Sequence, residues 1–101
     1  TRTWMPPVRG ETSTYYLGVN RGKRSIALDL RDEADAAVAR ELTRRADVVI
    51  ENFKPGGLAR YGLDYDSVRV GNPGAVYASI TGFGSGGGAH VPGYDLMVQA
   101  I

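Results

Sequence analysis

The 101-residue sequence contains no cysteine and a single histidine. It therefore has no disulfide staples and no thiolate ligands, and one imidazole gives no basis for a zinc site. A metal-independent, intracellular protein is the expectation. An excess of one charge is missing too: twelve basic residues against eleven acidic leave a net charge of +1. There is no domain-wide basic field of the kind nucleic-acid binders use, so no nucleic-acid partner is expected and any anionic ligand must be held locally. Long apolar runs are absent: nothing approaches the about 18 consecutive apolar residues of a membrane span, and no leader resembles a signal peptide. The expectation is a cytoplasmic chain with no membrane partner.

What is present is ordinary in amount and uneven in arrangement. Hydrophobic residues make up 43% and charged residues 23%, close to globular averages, so a folded chain of at most one domain is expected. Fourteen glycines announce many special turns. The sequence opens on Thr1 rather than methionine, and residues 95–101 read as a helix just beginning, so a piece cut from something longer is expected.

Residues 1–24 lack a sustained period, and 14–19 suit either a short helix or a strand. Residues 25–30 alternate polar and apolar, as a half-buried strand does. Asp32 is placed to cap a helix running to about Ala46, with Glu33 and Asp35 in its first turn and Arg44 and Arg45 in its last. Ala34, Ala37, Val38, Leu42 and Ala46 share one face of that helix at 3.6-residue spacing, and are its expected core face. Residues 47–51 are apolar on both sides, which suits a parallel strand covered on each face. Strand, helix and strand make a βαβ unit. Helical turns follow over 56–61 and 65–70, then a break at Gly71-Asn72-Pro73-Gly74, a strand over 75–80 and a glycine loop over 82–88.

Ligands of open α/β sheets bind beyond the carboxyl ends of the strands. Residues 28–30, 51–57 and 81–88 reach such places. In the second, Asn52 offers an amide, Phe53 an apolar face and Lys54 a point cation suited to phosphate, while Arg60 stands in the following helical turn. The same residues also serve an ordinary turn, with Asn52 capping, Phe53 filling core and Lys54 solvated. The basic turn Asn20-Arg21-Gly22-Lys23-Arg24 reads as a solvated charge run. The 82–88 loop lacks the Lys-Ser or Lys-Thr of a P-loop and reads as a connecting loop or lid. His90 stands alone in a surface loop, and Asp95 reads as a helix cap.

Several segments taken in order resemble one family. They are Asn20-Arg21-Gly22-Lys23-Arg24-Ser25-Ile26-Ala27-Leu28-Asp29-Leu30, Asp47-Val48-Val49-Ile50-Glu51-Asn52-Phe53-Lys54-Pro55-Gly56, Asn72-Pro73, Ser79-Ile80-Thr81-Gly82-Phe83-Gly84 and Pro92-Gly93-Tyr94-Asp95. Over nearly the whole chain they resemble class III coenzyme A transferases, the formyl-CoA transferase and CaiB/BaiF group, with the α-methylacyl-CoA racemases as relatives. The resemblance implies an α/β fold in which residues 1–101 are a fragment of the large, CoA-binding domain. That domain is Rossmann-like, with mostly parallel strands, in an interlocked homodimer. It implies acyl-CoA and carboxylate substrates, coenzyme A thioester as substrate and no prosthetic group.

The resemblance further implies that Leu28 flanks the nucleotide at a strand end, that Asn52 and Phe53 line the CoA channel, and that Lys54 and Arg60 approach its phosphates. Tyr94 falls near the acyl end. The family's nucleophilic aspartate, which passes through an aspartyl-CoA thioester, falls beyond Ile101, so no catalytic residue is expected here, and Asp95 is not that residue. Racemases carry a histidine base in a Gly-His-Asp segment, where this chain has Gly93-Tyr94-Asp95. Tyrosine, with an ordinary pKa of about 10, is a poor base at neutral pH, so transferase is preferred to racemase. A non-catalytic nucleotide-binding module is the remaining alternative.

Overall fold

The computed structural model describes residues 3–93 and Gln99. Tyr94 and most of the expected terminal helix lie outside the described residues; Gln99 is helical. At the N-terminal end, Val8–Arg9 (β1) and Thr12–Ser13 (β2) form an antiparallel hairpin with Arg9 opposite Thr12. Strands of two residues are too short to show alternation, which is why the sequence pattern missed them. The segment left open between helix and strand is helix α1, Thr14–Val19. The amide Nδ2 of Asn20 closes it, donating to the Tyr16 carbonyl at 3.0 Å.

Residues 25–30 do not form the expected strand. Among the described residues they have no ladder partner, and Ile26 is 61% exposed. Alternation assigns side chains to faces, but a strand exists only where a neighbour completes the ladder. Alternation survives only in the second half, with Leu28 and Leu30 half-buried between exposed residues. Side chains take over the backbone here: the Asp29 N–H donates to Asp35 Oδ2 at 2.8 Å, and the Arg31 N–H to Asp29 Oδ1 at 3.0 Å. The segment is thereby tied to the start of the next helix rather than to a sheet.

That helix, α2, spans Glu33–Arg45, and Asp32 caps it as expected, accepting from the N–H groups of Ala34 and Asp35 at 2.9 and 3.2 Å. The buried face is a different one. Ala36 is buried, and Ala39, Arg40 and Thr43 are half-buried, whereas of the expected face Ala34, Ala37, Val38 and Leu42 are exposed and only Ala46 is half-buried. Periodicity finds an apolar stripe; the neighbouring elements decide which stripe is covered. Here Arg40 extends across to donate to the Tyr61 carbonyl at 3.1 Å, fixing the rotation of α2.

Val48–Glu51 (β3) and Val76–Ser79 (β4) pair in parallel, with Val48 opposite Val76 and Glu51 opposite Ser79. The crossover between them contains a 3₁₀ turn at Ala59–Tyr61 and helix α3, Tyr65–Gly71. The strand–helix–strand unit is thus built one element later than the pattern predicts. Leu58, Leu63 and Val68 of the crossover join Ala36 as the buried apolar residues among those described. Val48, Ile50, Val76 and Ile80 remain exposed, so the strands are not covered on both faces. The accessible surface of 8173 Å² exceeds the about 5,500 Å² of a folded monomer of this mass.

Candidate functional site

Beyond the carboxyl end of β3 the chain runs straight into Asn52-Phe53-Lys54. The ladder extends one step past β4, with the Ile80 N–H donating to the Glu51 carbonyl at 2.9 Å. Past that bond, residues 52–55 and 80–84 both line one space. Residues 89–93 return towards them, and a cleft of about 530 Å³ lies between. Parallel strands make such a place, since both point their last residues at it.

The turn after Lys54 is locally encoded. The Gly57 N–H donates to the Lys54 carbonyl at 2.8 Å, Pro55 occupies the second position and Gly56 the third, at φ 77°. Proline presets its own φ, and only glycine enters the left-handed region there without cost, so Pro-Gly at these positions is what a type II turn requires. Gly57 is constrained as well, because a Cβ on it would lie 2.9 Å from the Lys54 oxygen. The turn holds Lys54 at the rim with its side chain exposed. Among the described residues Lys54 has no ion-pair partner.

Asn52, Phe53 and Lys54 all line the cleft, and Phe53 is 52% exposed. An aromatic that open is available for contact rather than committed to core. The other expected site residues are elsewhere. Leu28 is half-buried and does not line the cleft, and the strand that was to end beside it is absent. Arg60 lies on the 3₁₀ turn, outside the cleft lining, with its guanidinium 4.7 Å from the Tyr61 ring centre. Tyr94 is outside the described residues.

Several contributors escaped the sequence reading. His90, exposed as expected, lines the cleft together with its neighbours at 89–93, while Gly82, Phe83 and Gly84 line it from the 81–88 segment that the sequence already placed at a strand end. Gly82 and Gly93 pack backbone against backbone so tightly that a Cβ on either would overlap the other's Cα. Two glycines bracketing a loop are the signal that could have shown this closure. The Thr81 hydroxyl accepts from the Gly84 N–H at 2.9 Å. Behind the strand end, the Tyr77 hydroxyl donates to the Leu63 carbonyl at 2.8 Å. Burial raises the Tyr77 pKa above its ordinary value, and the negative charges of Glu51 and Asp64 push it the same way. Among the described residues no three His, Asp or Glu side chains converge as a metal site, and no helix is long and apolar enough to cross a membrane.

Comparison with known proteins gives concordant results. The sequence model of CoA-transferase family III matches residues 1–101. The chain is 54% identical over 108 residues to a succinate–glutarate CoA-transferase of Agrobacterium fabrum, covering 100% of this chain and 27% of that protein. It is 43% identical over 102 residues to the human succinyl-CoA:glutarate CoA-transferase, again 100% of this chain and 23% of the relative. A formyl-CoA:oxalate CoA-transferase of Streptomyces avermitilis is 43% identical over 101 residues, 100% of this chain and 25% of that one. The solved structure of a CaiB/BaiF family protein from Brucella suis superposes with a TM-score of 0.88 at 53% identity, covering 99% of this chain and 28% of that one. The chain thus spans about a quarter of the length of the curated relatives it matches.

Proposed function

Since the chain belongs to CoA-transferase family III, we propose that it supplies part of the coenzyme A site of an enzyme that moves CoA between an acyl-CoA and a carboxylate. The observation that carries this reading is the cleft at the ends of β3 and β4, where an open aromatic, an amide and an unpaired cation face one space. Coenzyme A asks for that combination. Its pantetheine arm needs apolar contact and amide hydrogen bonds, and its phosphates need cations. Asn52 and Phe53 hold the arm, Lys54 and Arg60 draw the phosphates, and Leu28 and Tyr94 flank the nucleotide and acyl ends. The relatives named above transfer CoA to or from succinate, glutarate or oxalate by their names.

In this reading the domain is Rossmann-like, and the enzyme is a cytoplasmic, interlocked homodimer without a prosthetic group. An aspartate outside these 101 residues attacks the thioester carbonyl and expels CoA thiolate, leaving a mixed anhydride. The thiolate then attacks the aspartyl carbonyl and releases the donor as its carboxylate, leaving an aspartyl-CoA thioester, from which the acceptor carboxylate takes CoA by the same two steps in reverse. The test is calorimetry with CoA on the full-length protein that carries this chain, alongside Lys54→Ala and Arg60→Ala. Each substitution is expected to weaken CoA binding about tenfold, the loss of one charge-assisted contact. Unchanged affinity in both removes those side chains from the site. Absence of CoA exchange between any acyl-CoA and a free carboxylate rejects the activity.

A further inference from the structure

Glu51 is the last residue of β3 and does not itself line the cleft. Its side chain points into a neighbouring hollow with Tyr77 and Ser79. One carboxylate oxygen, Oε2, accepts from the Phe53 N–H at 2.7 Å. The other, Oε1, accepts from the hydroxyl of Ser79, the residue opposite it in the register. Its carbonyl holds the Ile80 N–H. One residue therefore grips the first turn of the 52–55 wall, the end of β4 and the first residue of the 80–84 wall.

The sign of its charge is informative. A carboxylate two residues from Phe53 and three from Lys54 repels an anionic ligand and competes for the cation, so electrostatics alone would favour a neutral residue there. What the carboxylate does provide is a second acceptor. Ordinary ladder bonds stop at residue 51, and without the carboxylate the Phe53 N–H at the mouth of the cleft would turn to water instead of being tied through it to β4.

We propose that Glu51 is the positioning residue of this site: it sets the path of Asn52-Phe53-Lys54 against β4 and so aims the three side chains into one cleft. The proposal rests on the reading of the cleft as a coenzyme A site, and the experiment separates the two. In the full-length protein, Glu51→Ala removes both anchors, whereas Glu51→Gln keeps a carbonyl for the Phe53 N–H and an amide for the Ser79 oxygen while removing the charge. Glu51→Ala is expected to weaken CoA binding about tenfold and to raise KM for acyl-CoA more than it lowers kcat. Glu51→Gln is expected to bind CoA as well as the unaltered protein or up to about threefold tighter, because a repulsive charge is gone. Ser79→Ala, which frees one anchor only, is expected to fall between, and decides the matter if Glu51→Ala does not fold.

A Glu51→Ala protein that binds CoA as tightly as the unaltered one, or a Glu51→Gln protein as weak as Glu51→Ala, overturns the proposal. So does Ser79→Ala with unchanged affinity. If the unaltered protein does not bind CoA, the ligand assignment fails, and amide hydrogen exchange then decides the positioning role. Faster exchange at Phe53 in Glu51→Ala, with β3 and β4 amides unchanged, supports it; unchanged exchange at Phe53 rejects it.

Discussion

A single pair shows how much chemistry the 25–31 segment retains without a sheet. Arg31 reaches back to Asp29 with a fork, Nε to Oδ1 at 2.9 Å and Nη2 to Oδ2 at 2.8 Å. The guanidinium, and after it the Arg31 backbone N–H, holds the Asp29 carboxyl below the usual carboxylate range. The sign follows from linkage. A carboxyl depressed in the folded state contributes stability above its unfolded pKa of about 3.9, and loses it as pH falls through the folded value. Arg31→Ala is expected to return the Asp29 titration towards about 3.9, read by carboxyl NMR, and to remove this pair's share of the acid transition. At this scale the sequence is a good guide where partners are local. Asp32 capping α2 and Pro55-Gly56 turning the chain are set by neighbours within a few residues. Glu51 gripping Ser79 was not legible, because its partner stands 28 residues away.

Among the elements, α2 was legible in extent but not in orientation. Its cap, its first-turn acids and its last-turn arginines all act through the helix's own backbone. Which face is buried depends on α3 and on Arg40, neither of which the 3.6-residue period can see. Its far end is closed from a distance as well: Asn72 Nδ2 donates to the carbonyls of Thr43 at 3.1 Å and Ala46 at 2.8 Å. The Gly71–Gly74 break, which reads as a plain turn, thus adds a side-chain cap to the C-terminal end of α2, where the Ala46 N–H already donates to the Thr43 carbonyl at 3.4 Å. In the full-length protein that carries this chain, Asn72→Ala is expected to cost about 1–2 kcal/mol of stability in urea melts, since two carbonyls at a helix end lose a half-buried donor. A loss no greater than that of an exposed Ala substitution would show that water replaces the amide.

On the scale of the whole molecule, the 101 residues cover little of their own apolar surface. The Cα radius of gyration is 16.1 Å, against about 13 Å for a compact domain of this length. Val48, Ile50, Val76 and Ile80 stand open on the strands, and Val38 and Leu42 on α2. The 101-residue chain in isolation is therefore expected to bind the dye ANS and to melt broadly, without a sharp cooperative transition. A sharp melt with no dye binding would show that these surfaces close on one another in solution. Length, charge balance and the absence of cysteine were enough to narrow the class of protein. The order of motifs from Asn20 to Tyr94 was enough to identify the resemblance that the family match then established. Those properties belong to the chain and survive whatever it packs against. The tertiary structure alone decided that β3 pairs with β4, that residues 25–30 have no ladder partner among the described residues, and that Asn52, Phe53 and Lys54 share a cleft while Leu28 and Arg60 do not line it. The physical reason is that strand pairing and side-chain convergence are relations between segments far apart in sequence. Local propensity and period fix only what each segment offers to such a relation.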